Sequence, residues 1–418
     1  MNSQAYNFSA INERLIPVDD GGVTGSFRDY TIASAFQPIF SLSHRNPVGY
    51  EALCRARSTD GSSVSPFLLF GQAHSEADNV LLDRLCRAVH VQNFSIFPDK
   101  KSWVFLNVNP LITVVGKNYG PFFRDMLAHN QISPNRVVIE ILEQNIHDES
   151  ILSAAVNYYK ELGCLVAIDD FGAAHSNFDR IWNIRPDIVK FDRSIVVQAE
   201  ASRVIRKALP SLVSLIQEIG SITLMEGVET EQQALIALDS NVDLVQGYYF
   251  GYPKETLVDP FETENSLSRL CHKHAEIAAD ERKKYRNTVD GCMIEFRRLL
   301  EKIKTGTTGP DQACAALLAL CSVRRIYFLD DQGYQIGRNI TAQPMQDYED
   351  SRYKPLSEAA DANWSRRYYF RQAMLYPGEI QISRPYRSLA GQHQCITLSS
   401  QIESPGGKLV ACVDLDWA

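Results

Sequence analysis

From about residue 32 to residue 253 the chain alternates short apolar runs rich in Val, Ile and Phe with longer segments of helical spacing. Strand-sized runs fall at 35–40, 48–53, 102–108, 137–142, 165–171, 187–191, 222–228 and 243–250. Eight strands alternating with helices predict an α/β fold, and a (β/α)8 barrel and an open doubly wound sheet share that rhythm. Residues 1–30 are polar and turn-rich, with Asp19, Asp20, Gly21 and Gly22 together, and predict a loose N-terminal arm. Downstream of the strands, Leu267, Leu270, Ile277, Met293, Phe296, Leu299 and Leu300 recur at helical spacing through a charged but nearly balanced stretch. This pattern suits either a solvated surface helix or a helix joining two domains, closed by the Gly- and Pro-containing turn at 305–310. Beyond a short helix-like run at 313–321, apolar segments at 325–329, 334–338, 381–383, 393–400 and 408–414 predict a five-stranded antiparallel sheet under a helix. Asp330-Asp331-Gln332-Gly333 and Pro405-Gly406-Gly407 supply its turns. The implied division is an arm at 1–30, an α/β domain at 31–256, a helical linker at 257–309 and an α+β module at 310–418.

Composition narrows the function classes. The 418 residues, 45% hydrophobic and 22% charged, predict two or three ordinary globular domains. The net charge of −8 disfavours a surface that tracks nucleic-acid phosphates over the whole chain, so no DNA partner is expected. Handling phosphate would need a metal or a few local cations. No apolar run approaches the roughly 18 residues of a membrane span, and the start lacks a basic segment followed by an apolar one, so the chain reads as cytoplasmic. Nine scattered cysteines, an odd number without a C-x-x-C, read as reduced thiols. No haem or flavin motif is visible, and no organic cofactor is expected.

Polar residues fall at the predicted strand ends. Glu51, Asn107, Glu140, the pair Asp169-Asp170, Lys190, Glu226 and Gln246 each follow an apolar run. A buried carboxylate there is costly unless a cation or hydrogen bonds compensate it. In a barrel, successive strand ends meet at one mouth. Five carboxylates and a carboxamide, without Cys or His, are hard oxygen ligands that suit Mg²⁺ or Mn²⁺ rather than zinc. The adjacent aspartates suit a pair of such ions, the arrangement that serves in-line attack on a phosphodiester, and Lys190 suits charge neutralisation beside it.

These residues carry a family resemblance. Gln37-Pro38-Ile39, Glu51-Ala52-Leu53-Cys54-Arg55, Asn107, Glu140-Ile141-Leu142-Glu143, Asp169-Asp170-Phe171-Gly172, Pro186 to Asp192, Glu226-Gly227-Val228-Glu229-Thr230 and Gln246-Gly247 with Pro253 stand in the order and spacing of the EAL domain. The region of about 32–254 thus resembles the cyclic di-GMP phosphodiesterase family. The resemblance implies a barrel whose first strand runs antiparallel, and cleavage of cyclic di-GMP to linear pGpG with two ions, Mg²⁺ or Mn²⁺. It implies Glu51, Asn107, Glu140 and Asp169 as ligands of one ion and Asp169, Asp170 and Glu226 as ligands of the other. Lys190 would stand beside the attacking water and Gln246 would orient water or substrate. Glu143 and Glu229 would support the loop after the fifth strand, and Gln37, Arg55 and Asp192 would face the substrate. A homodimer is also implied.

The departures define a second reading. Most active members continue after the aspartate pair with Thr/Ser-Gly-Tyr/Phe-Ser-Ser, whereas this chain has Ala173-Ala174-His175-Ser176-Asn177, and Met225 replaces an alanine in a position that would crowd the site. An active enzyme keeps every ligand; a silent cyclic di-GMP receptor signalling through partners is the alternative. The C-terminal module weakly resembles PAS- or Cache-like sensory domains. Arg366, Arg367, Tyr369, Tyr386 and Asp414 are the expected contacts for a carboxylate or zwitterionic ligand there, with dimerisation alone the other role.

Overall fold

The computed structural model describes residues 6–19, 21–119, 121–142, 149–173, 178–306, 310–341, 359–388 and 394–417. The chain divides into two compact units, Met1–Glu276 and Ile277–Ala418.

In the first unit, eight strands close into a barrel: Tyr30–Ser41, Asn46–Ser58, Trp103–Asn107, Val137–Leu142, Leu165–Phe171, Ile188–Phe191, Ile222–Met225 and Leu244–Gln246. The second to eighth pair in parallel, and the first runs antiparallel to both of its neighbours, the second and the eighth. Antiparallel pairing is what allows the first two strands to be joined by the short turn after Ser41; parallel neighbours need a crossover, here a helix. The pleat alternates side chains between two apolar environments. Inward, Ile39, Phe105, Val138, Ala167, Ile188, Leu224 and Leu244 fill the barrel. Outward, residues such as Ile139, Ile141 and Ile168 pack under the helix layer.

The first two strands are 12 and 13 residues long. Their outer ends continue past the barrel as a hairpin, and this is where the N-terminal segment departs from the expected loose arm. Phe8–Asn12 forms a helix, and Val23–Phe27 adds to the sheet beside Tyr30–Ser41, with Leu15–Pro17 beyond it. Phe8, Ile11, Val23 and Phe27 are buried. The Asn93 side chain both accepts from the Val23 N–H at 2.7 Å and donates to the Val23 carbonyl at 2.9 Å, and a Cβ on Gly25 would stand 2.9 Å from Leu85. The segment is ordered by helix Glu76–Ser95, far along the sequence, and its own composition carries no sign of that partner.

The 46-residue helix Pro260–Thr305 spans the linker region. Its Leu267 and Leu270 join an apolar cluster of the barrel unit, while Val289, Cys292, Phe296, Leu299 and Leu300 join the core of the second unit. That unit holds an antiparallel sheet ordered Gln335–Ile340, Val323–Leu329, Gly407–Asp416, Gln394–Ser404 and Gln381–Ile382, with Tyr386–Arg387 also pairing with Gln394–Ser404. There are thus six strands among the described residues where five were expected; the additional one is two residues long and has no periodicity to read. Helix Tyr368–Leu375 covers one face through Tyr369, Phe370 and Ala373. The long helix and Pro310–Leu318 cover the other. None of the nine cysteines is in a disulfide.

Candidate metal and phosphate site

The strand pleat builds the site. Two residues beyond the apolar plug, on the same inward face, stand Asn107, Glu140, Asp169, Lys190, Glu226 and Gln246. Glu51 stands two beyond Gly49, whose missing side chain makes room for Phe105, since a Cβ there would lie 2.7 Å from that ring. Gln37 precedes Ile39 by two because its strand runs the other way, and it pairs directly with Glu51. These eight inward positions, one for each barrel strand, therefore form one polar layer above one apolar layer.

Lys190 is its centre. Only 1% exposed, its ammonium forms ion pairs with Glu140 Oε1 at 2.5 Å, Asp169 Oδ1 at 3.1 Å and Glu226. Glu51 accepts from Asn107 Nδ2 at 2.9 Å and from Gln246 Nε2 at 2.7 Å, and Gln246 Nε2 also reaches Gln37 Oε1 at 3.2 Å. Strand alternation alone would send Asp169 and Asp170 to opposite faces. Asp170 instead adopts a left-handed conformation, φ 58°, where the pairing of the fifth and sixth strands slips between Ile168 and Phe171. Both carboxylates consequently approach Glu226.

Two oxygen clusters result. One ligand atom each from Glu51, Glu140 and Glu226, and likewise from Asp169, Asp170 and Glu226, lie within 4.8 Å of one another. Burial, reinforced by the charge of Glu51, pushes the Glu140 carboxyl well above its usual range. Burial pushes Glu226 up to about 8 and Asp170 up to about 6, each with a contribution from Asp169. Burial would also raise Glu51, but Lys190 and the Gln246 and Asn107 amides hold it low. Burial opposes the charge on Lys190, yet the surrounding carboxylates, Asp169 and Glu140 foremost, hold it protonated well above the ordinary lysine range. Among the described residues, Glu140 Oε2 and Gln246 Oε1 are buried without a hydrogen-bond partner. Such oxygens are costly to leave unsatisfied, and a hard cation would satisfy them.

Arg55 is exposed, four residues above Glu51 on the same strand face, and with Arg57 and Glu255 it lines an 820 Å³ groove that includes Thr31, Ala33 and Ala35 of the first strand. Asp192 caps helix Arg193–Ala201, accepting from the Ser194 N–H at 2.9 Å. Glu229 accepts from Arg193 at 2.7 Å, a partner that its motif gives no hint of. Glu143 and residues 174–177, including His175, lie outside the described residues. Met225 does not crowd the site: one step along the pleat from Leu224, it points outward and is buried under the helix layer, so that expectation is corrected by strand alternation.

The expected C-terminal ligand constellation is also rearranged. Arg367, Tyr369 and Tyr386 line a cavity of only 10 Å³, room for about one water. Arg366 is exposed and absent from that lining. Asp414, expected to await a ligand ammonium, accepts from Arg325 Nε at 2.7 Å, Thr397 Oγ1 at 2.7 Å and Tyr327 Oη at 3.3 Å. Arg325 was not among the expected residues; the available signal was the pair Arg324-Arg325 inside the apolar run 323–329, of which strand alternation sends one inward, where its charge demands a paired acid.

The sequence pattern of the EAL domain matches residues 23–253. The EAL-domain containing protein YkuI of Bacillus subtilis (strain 168) is 28% identical over 347 residues, covering 80% of this chain and 82% of its own length. PdeB of Escherichia coli (strain K12), a probable cyclic di-GMP phosphodiesterase, is 28% identical over 235 residues, 53% of this chain, and the chain spans only 42% of that relative's length. The crystal structure of YkuI in complex with c-di-GMP and calcium matches with a TM-score of 0.76 at 24% identity, over 93% of this chain and 96% of that one, a likeness of fold.

Proposed function

Because the chain belongs to the EAL domain family, we propose that it is a divalent-metal-dependent phosphodiesterase that cuts cyclic di-GMP to linear pGpG. The observation that carries the reading is the pair of carboxylate clusters sharing Glu226. With all five carboxyls ionised, as metal ligation would require, five carboxylates and one ammonium leave four negative charges, the charge that two divalent ions balance. Oxygen donors alone, including the orphaned Glu140 Oε2, suit Mg²⁺ or Mn²⁺. In this reading Glu51, Asn107, Glu140 and Asp169 would hold one ion and Asp169, Asp170 and Glu226 the other. When bound, such ions supply a nucleophilic hydroxide and stabilise charge on the phosphate during in-line displacement.

The chain's own residues do the rest. Lys190 keeps Glu140, Asp169 and Glu226 gathered and presents a fixed positive charge beside the phosphate. Gln246, whose amide donates to both Gln37 and Glu51, holds that carboxylate's orientation, and the two glutamines offer amide groups to the water or the substrate. Arg55, higher on the same face, meets a phosphate in the groove, and Asp192 stands beside Asp170 at the substrate side. Glu229, held by Arg193, and Glu143 support the loop after the fifth strand. The cyclic di-GMP and calcium held by YkuI point to the same substrate and to a hard ion.

The C-terminal unit is read as a PAS- or Cache-like sensory or dimerisation module, on the strength of its antiparallel sheet and covering helix, in a cytoplasmic homodimer. The altered loop beginning at Ala173 favours one rival, a receptor that binds cyclic di-GMP without cutting it. Purified full-length protein with Mn²⁺ and cyclic di-GMP should release pGpG, resolved by chromatography, and Glu51→Ala should lower the rate at least 100-fold. Tight binding with no pGpG, where an active homologue turns over, establishes the receptor instead.

A further inference from the structure

A second polar site lies outside the barrel, in the helix layer. Helices Glu76–Ser95, Pro110–Gly116, Phe123–His129 and Glu149–Leu162 surround a 240 Å³ cavity lined by Arg84, Arg87, Ile112, Phe122, Phe123 and Tyr158, among others. Two guanidinium groups facing one interior space are unusual, since each is costly to bury. Both arginines are 5% exposed.

Their partners are specific. Arg84 donates to the backbone carbonyls of Tyr6 at 2.5 Å, Gly116 at 2.7 Å and Tyr119 at 3.1 Å. Arg87 pairs with Asp83 and donates to the Tyr159 hydroxyl at 2.9 Å, but its Nε is buried without a hydrogen-bond partner among the described residues. Burial and the charge of Arg87 bring Arg84 down to about 10, the behaviour of a locally positive interior. The remaining walls are flat and apolar: both guanidinium groups lie over the Phe122 ring, at 5.1 and 5.3 Å, and Arg87 also lies 5.7 Å from Phe123. The space has room for several waters or for one small organic molecule.

We infer that this cavity is a binding site for a small planar organic carboxylate, whose charged end meets Arg87 and whose flat body lies between Phe122, Phe123 and Tyr158. A carboxylate supplies the negative charge that the two arginines favour, and a planar body matches the aromatic walls. None of its lining residues belongs to the metal layer, so the site is independent of the proposed phosphodiesterase activity. Helix Pro110–Gly116, which contributes Ile112 and Thr113, begins three residues after Asn107, so occupancy has a short covalent route to the barrel mouth.

The probe is benzoate, followed by ligand-observed NMR on the full chain. Saturable binding in the millimolar range or tighter is expected, unchanged in Glu226→Gln. Ile112→Phe, which fills the space while keeping both arginines, should weaken binding at least tenfold while far-UV circular dichroism stays native. Arg87→Lys, which keeps the charge but not the planar fork, should also weaken binding at least tenfold and serves if Ile112→Phe does not fold. Absence of saturable binding to the unmodified protein overturns the inference, as does undiminished binding in a folded Ile112→Phe or in Arg87→Lys.

Discussion

At the scale of single residues, burial separates two kinds of charge that composition cannot distinguish. Lys190 and Glu140 were legible as candidate site residues because each ends an apolar run; Arg325 was not, because of the adjacent pair Arg324-Arg325 nothing marks which one is buried until Asp414 is seen beneath it. His90 is a third case. It is 5% exposed with Nδ1 2.8 Å from Ser34 Oγ, and burial, aided by Arg55, lowers it to about 4. An unfolded histidine titrates near 6.5, so below that pH the unfolded chain binds a proton that the folded chain refuses. The folded pKa being depressed, the contribution is intact above about pH 6.5 and is lost as pH falls toward 4. Between pH 7 and 5 the barrel should lose about 2 kcal/mol through this residue alone. Denaturant unfolding at both values should show His90→Gln losing about 2 kcal/mol less than the unmodified protein; equal losses would refute the assignment.

At the scale of elements, the barrel strands were legible in kind but not in extent. The seventh and eighth were expected at 222–228 and 243–250, yet they stop at Met225 and Gln246. After the seventh the following loop is itself buried at Val228, whereas after the eighth the aromatic run goes on into a loop where Tyr248 and Tyr249 are exposed. The first strand is longer than expected because Tyr30 to Ser34 pair with the extended second strand, a cross-strand fact invisible in either alone. The two shortened ends lock together at Gly247. With φ 156°, a Cβ on Gly247 would stand 2.1 Å from the Val228 carbonyl oxygen and 2.3 Å from its nitrogen, and backbone cannot swing aside as a side chain would. The Val228 N–H donates to Gln246 O at 3.1 Å and the Tyr249 N–H to Val228 O at 3.0 Å, so the clash falls on a hydrogen-bonded splice beside Glu226 and Gln246. Gly247→Ala should therefore cost roughly 3 kcal/mol of barrel stability and weaken metal binding, measured by denaturant midpoint and by Mn²⁺ titration. A variant with native midpoint and native Mn²⁺ affinity would show that the loop yields.

At the scale of the whole molecule, the clustered carboxylates were legible through spacing and family resemblance because they obey the barrel's repeat, whereas the C-terminal unit, with no repeat, yielded its sheet but not its charge pairing. The two units have separate cores: the barrel's apolar clusters draw on residues up to Leu270, and the sheet's on residues from Val289 onward. All five clustered carboxylates belong to the first unit. A ligand that binds only the folded form of one unit stabilises that unit by mass action, about 2.7 kcal/mol at 100 times its dissociation constant. Calorimetry should therefore resolve two transitions, with Mn²⁺ raising the barrel's by roughly 5 °C. The C-terminal transition, identified by its retention in a Gly247→Ala protein, should stay in place. EDTA should reverse the rise, and Glu226→Gln, which removes a charge common to both clusters, should abolish most of it. An equal shift of both transitions, or a full shift in Glu226→Gln, would mean that the ion stabilises the protein elsewhere than at the mouth of the barrel.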